Sequence, residues 1–149
     1  MKIALYILVS LVVVICALFA WLSLTARTPD AALVDGKLRP CPETPNCVNS
    51  ESAGETFVEA LSPTDGTSID ELWQSTIQSL TEMGANIEKQ EQDFVWATFQ
   101  SRLFRFTDDV ELRRDAVAGV IQIRSGSRSG KSDLGINRKR VEALRQRVQ

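Results

Sequence analysis

Between Ile3 and Leu24 the chain carries an apolar run broken only by Ser10 and Ser23. As a helix rising 1.5 Å per residue, such a run spans about 33 Å, matching the ~30 Å hydrocarbon core of a bilayer. Trp21 falls near its far end, where an interfacial aromatic is expected. The rival reading is a cleaved signal peptide. Its apolar core is normally about 7–15 residues and ends in an Ala-x-Ala-like site. This run is longer, and neither Leu18-Phe19-Ala20 nor Leu24-Thr25-Ala26 suits cleavage. The reading is therefore a single uncleaved anchor over 1–27, with residues 3–24 contacting the membrane. Everything else must fold from the roughly 120 residues that follow, enough to bury a core without staples. Those residues divide into a linker with a Cys-Pro loop over 28–55 and a globular domain over 56–149.

Sidedness has weaker support. Lys2 lies on one side of the run; Arg27, Lys37 and Arg39 lie on the other. Positive charge alone does not decide orientation here. An anchored domain exported to the periplasmic or extracytoplasmic side is the expected arrangement, and the cysteines lean the same way. Cys41-Pro42-Glu43-Thr44-Pro45-Asn46-Cys47 places two prolines between two thiols. In an oxidising compartment this reads as a local disulfide, contributing about 2–2.5 kcal/mol in the chain-entropy model. Free thiols in a reduced compartment are the alternative. A zinc site would need further ligands in a chain with no histidine. Redox pairs usually have Cys-x-x-Cys spacing. No metal and no cofactor is expected.

Past the loop, Thr56–Leu61 is a candidate strand and 62–66 a turn. Ser68 with Glu71 forms a capping-box pattern. Ile69, Leu72, Trp73, Ile77, Leu80 and Met83 then share one helical face, with Gly84 just past its end. Ala85–Gln90 and Phe94–Arg102 read as strands. The second is apolar on both faces, as an interior strand would be. Asp109–Arg113 and Val120–Ser125 alternate as an antiparallel pair turning near 115–119. With Val110, Leu112, Ile121 and Ile123 on the core face, Arg124 must lie across from Asp109 or Glu111. Ser125–Gly130 is too rich in Gly and Ser for strand or helix. Asn137 is the expected N-cap of a last helix with Val141, Leu144 and Val148 as its buried stripe. The order β-α-β4-α predicts an α+β domain: a curved antiparallel sheet of about five strands with both helices on one face.

Charge is unevenly spread. Residues 28–101 hold 13 acids and 3 bases, whereas 102–149 hold 12 bases and 6 acids. Arg138, Lys139 and Arg140 occupy the first turn of the last helix, where the dipole disfavours cations. Something negative must compensate. Asp108, Asp109 or the acidic half would do so internally. A bound anion held by free N–H groups, these cations and Arg128 would do so as a ligand.

Three blocks carry a resemblance: Pro40 to Val48, Phe106 to Glu111, and Arg124 to Arg138. On these the chain resembles the bacterial and plastid family called domain of unknown function 1499. Asn49 stands where a serine is expected. The resemblance implies an anchored or exported domain and brings no established activity.

Three functional readings follow. The first is a non-catalytic, membrane-anchored binding module. Asp108, Asp109, Glu111, Arg124, Ser127, Arg128, Asp133, Asn137 and Arg138 would hold a small anion, a lipid headgroup or an envelope protein. The second is a structural or interaction domain in which the same charges form an internal salt-bridge network. The third, least supported, is a hydrolase-type enzyme with Asp108/Asp109 as acid and base, Ser127 or Ser129 as nucleophile and Lys131 nearby. No nucleic acid is expected, because basic and aromatic residues do not interleave. Burial discriminates: charges converging on an open cleft favour the first reading, and charges paired and covered favour the second.

Overall fold

A computed structural model describes residues 2–64 and 66–149. Asp65, in the turn expected over 62–66, lies outside the described residues.

The apolar run forms helix α1 (Lys2–Leu24), which is long and apolar enough to cross a membrane. The remaining elements are β1 (Cys47–Asn49), a 3-10 turn (Gly54–Thr56), α2 (Ile69–Glu82), β2 (Asn86–Gln90), β3 (Phe94–Gln100), β4 (Thr107–Asp115), β5 (Val120–Ser127) and α3 (Ile136–Val148). The five strands make one antiparallel sheet in the order β1-β5-β4-β3-β2. This is the α+β arrangement expected, and β3 is an interior strand.

Helix α2 starts where its local chemistry dictates. The Ser68 side chain accepts from the Glu71 N–H while Glu71 accepts from the Ser68 N–H. Gly84 closes the helix at φ 93°, a conformation a Cβ would oppose. Leu72, Trp73 and Leu80 of α2 and Val141 and Leu144 of α3 are buried against one face of the sheet. That face is built from Val48, Val95, Ala97, Val110, Leu112, Ile121 and Ile123. Trp73 is thus a core residue.

The opposite face is covered differently. Residues leaving α1 cross it, with Ala31 and Leu38 buried against Phe94 and Trp96. The disulfide Cys41–Cys47 is formed. Segment 28–55 therefore carries a covering layer and the edge strand β1.

Three local expectations fail, each for an identifiable reason. The strand at Thr56–Leu61 is replaced by a 3-10 turn and two isolated bridges, Asn49↔Phe57 and Leu61↔Ile121. Side chains of α3 take carbonyls that a neighbouring strand would need. Arg138 donates to Phe57 and Glu55, Arg145 donates to Ala60 and Glu59, and Gln149 donates to Ser62. Residues Ser125–Ser127 belong to β5 despite their composition. They pair with Val110, Asp109 and Asp108 of β4, and Ser125 and Gly126 also pair with β1. Gly126 suits the close approach: a Cβ there would lie 3.1 Å from the Cys47 Sγ. Finally, α3 is capped at Gly135, and Asn137 lies inside the helix with its side chain buried. Asp133 supplies the capping oxygens, accepting from the Gly135 N–H at 3.0 Å and the Asn137 N–H at 2.7 Å.

Candidate functional site

Successive residues of a strand point to opposite faces of the sheet. Strand β4 therefore sends Asp108 to the helix-covered face and Asp109 and Glu111 to the other. The residues expected to form one site are split into two groups, with the sheet between them.

On the helix side, Asp108 accepts from Arg140 at 2.6 Å and from the Ser127 hydroxyl at 2.5 Å. Asn137 is 1% exposed and acts as the hub. Its amide N–H groups donate to Ser127 Oγ and to the Asn46 carbonyl, both at 3.0 Å. Its carbonyl oxygen accepts from Ser125 at 2.6 Å and from Arg140 at 2.5 Å. The Arg140 guanidinium also lies over the Phe99 ring, 4.5 Å from its centroid. A fully engaged amide in a dry environment fixes the geometry of every partner it touches.

On the other side, Glu111 is fully buried between two guanidiniums, Arg39 and Arg124. Strand register places Glu111 directly opposite Arg124, one of the two pairings the alternation allowed. Burial holds the Arg124 guanidinium below its ordinary range, although the Glu111 charge opposes this. Asp109 is 3% exposed and accepts a two-pronged contact from Arg128, plus the Trp96 indole N–H at 2.8 Å. Arg128 in turn sits over the Trp96 ring, 5.7 Å from its centroid. The backbone crossing from α1 closes this group, with the Arg39 carbonyl accepting from Asn49.

Asp133 touches the helix-side network only through the Asn137 backbone N–H, and Arg138 belongs to neither network. Burial alone would raise the Asp133 carboxyl, but the Asn137 and Gly135 N–H groups outweigh it and hold it below the usual range. This carboxylate sits at the start of α3 and offsets the first-turn cations. Arg138 clamps two backbone carbonyls. The compensation expected at α3 is thus supplied by Asp133, together with Asp108 through Arg140.

This geometry restricts the chemistry. Asp108 and Asp109 face opposite sides of the sheet and each is committed to an arginine, so they do not form an acid–base pair around one substrate. Ser127 donates to a carboxylate that is itself paired with Arg140, and lacks the basic partner of an activated nucleophile. Among the described residues no group of three His, Cys, Asp or Glu side chains is placed to hold a metal ion.

Arg39, Asn46, Trp96 and Ser125 join these networks without having been singled out as ligand-binding residues, whereas Arg140 is one of the first-turn cations that a bound anion would meet. Arg39 left one trace: it is among only three cations in the acidic stretch 28–101.

The family model described as Protein of unknown function (DUF1499) matches residues 37–148. No curated protein and no solved structure matches the chain.

Proposed function

For a chain that belongs to the DUF1499 family, we propose a membrane-anchored, non-catalytic domain on the extracytoplasmic side, whose charged residues form an internal scaffold. The observation that carries this reading is closure. Each of the nine polar residues expected to bind a ligand already has a partner within the chain. Charge-assisted contacts of this kind fix orientation when they are buried and complete. The apolar helix α1 supports anchoring by its length and composition. The Cys41–Cys47 disulfide supports an oxidising compartment. The function then lies in what the fixed outer surface meets at the membrane.

The test is thermal unfolding of the full chain in nonionic detergent against phosphate, nucleotides, organic acids and soluble anionic headgroups, alongside Arg138→Ala. A ligand at 100 times its Kd would add about 2.7 kcal/mol. The scaffold reading expects no shift with any of them and a lower melting point in the variant. A ligand-dependent shift in the parent that Arg138→Ala abolishes would overturn it in favour of the small-anion or headgroup site. Sidedness is checked by alkylating cellular protein under denaturing conditions with and without reductant. Cys41 and Cys47 should react only after reduction.

A further inference from the structure

Where α1 meets the domain there is a cavity of about 330 Å³ that neither charged network fills. The geometry points to this cavity as a binding site for one membrane lipid whose head carries an ammonium. The inference rests on α1 spanning the bilayer.

One wall is the anchor itself, through Phe19 and Leu22. Phe19 meets Phe104 and Phe106 edge-on, with ring centroids 5.1 and 6.1 Å apart. Ser129 donates to the Leu22 carbonyl at 3.3 Å. These contacts join the domain to the last turn and a half of α1, the depth at which a spanning helix leaves the hydrocarbon. The cavity therefore opens at the level of lipid headgroups and upper acyl chains, and a lipid is the molecule present there at high concentration.

Exposed side chains around it suit the same setting. Leu134 is 85% exposed and Ile136 51%. Apolar side chains so exposed beside an anchor can cover an acyl chain or enter the interface.

The polar lining selects the head. It consists of the Asp108 and Asp133 carboxylates and serine hydroxyls, with no lysine or arginine among the described residues that line it. A head with net negative charge would meet like charge. An ammonium finds acceptors of opposite charge. The volume falls at the lower end of the range for small-molecule sites, enough for a head and the start of one chain.

The experiment is native mass spectrometry of the full chain released from nonionic detergent. Phosphatidylethanolamine and phosphatidylglycerol with identical acyl chains are the probes. Near-UV circular dichroism verifies that each variant is folded. The expected result is one ethanolamine lipid retained per chain, at least five-fold over the glycerol lipid. Ser129→Phe, which fills the cavity, should cut retention at least ten-fold. Ile136→Ser, which removes an apolar wall, should weaken it without filling anything. Val117→Ala, in the distant β4–β5 turn, should leave it unchanged. Equal retention of both lipids, preference for phosphatidylglycerol, or retention untouched by both cavity variants would overturn the site. Alkaline extraction of cell membranes separates the two failures. A chain that stays with the membrane yet retains no lipid overturns the site alone. A chain that is extracted overturns the anchor as well.

Discussion

Replacing Glu111 by Gln keeps its shape and removes one charge from the middle of the Arg39–Glu111–Arg124 group. In the parent, Glu111 is wholly buried and the Arg124 side chain is 9% exposed, whereas Arg39 is 19% exposed. Arg39 can turn towards water, but Arg124 cannot without opening the sheet. Its Nε already lacks a partner among the described residues. The cost is therefore dominated by stranding Arg124, and removal of one member of a buried pair typically costs about 3–5 kcal/mol. A domain between the size classes with known scaling should lose roughly 3–5 °C per kcal/mol, so the melting point should fall on the order of 10–20 °C. Thermal and urea unfolding of the full chain in nonionic detergent, followed by near-UV circular dichroism, would measure this. Two companions separate charge from packing. Arg39→Ala should cost only about 1 kcal/mol, because its partner keeps Arg124 and its own head is nearer to solvent. The double replacement Glu111→Leu with Arg124→Leu should lose less than Glu111→Gln alone, since no unpaired charge is left in the interior. A Glu111→Gln variant within 1 kcal/mol of the parent, or a double variant as damaged as the single, would show that Arg124 is not stranded.

Two further outcomes follow from the geometry. Asp133→Ala should remove the cap of α3 and cost about 0.5–2 kcal/mol at neutral pH. Because the folded-state pKa of Asp133 is depressed, its contribution is present above the unfolded value near 4 and is lost as pH falls through the folded value. Urea midpoints of parent and variant should therefore differ at pH 7 and converge in acid; a difference that persists undiminished in acid would assign the effect to something other than this carboxylate. Gly126→Ala forces a methyl group to within 3.1 Å of the Cys47 Sγ, next to a bonded sulfur that cannot swing away. It should destabilise by about 1–3 kcal/mol by overpacking, and an unchanged urea midpoint would count against that steric account.

Where structure follows from neighbours in sequence, it was readable. The Ser68–Glu71 box, the apolar face of α2 and the β4–β5 turn all depend on contacts within a few residues or on strict alternation. Pairing of Glu111 with Arg124 followed from that alternation plus a turn position. What could not be read depends on distant partners. Strand β1 has three residues, too few for a period, and exists because β5 has a free edge beside the disulfide. Thr56–Leu61 has strand composition, but arginines from the far end of the chain satisfy its carbonyls. The site shows the same division. The polar residues do form connected networks, as their density between 108 and 140 suggested. Their separation onto two faces was already implicit, since alternation that sets Asp109 against Val110 also sets it against Asp108. The pairing of Arg39 with Glu111 lay beyond inference, because nothing local ties a residue before Pro40 to a glutamate in β4.

The strand of chain between α1 and Arg39 has a mechanical meaning. A free fourteen-residue tether would let a domain wander roughly 20 Å from its attachment point. Here Thr28 accepts from Arg128, Ala31 and Leu38 are packed against the sheet, and Arg39 is locked to Glu111. The slack is taken up. With α1 as the proposed membrane anchor, the domain would not range above the membrane for partners; it would drift in the plane with its anchor, presenting the same side to the lipid. Encounters then depend on lateral diffusion and on a partner of matching height.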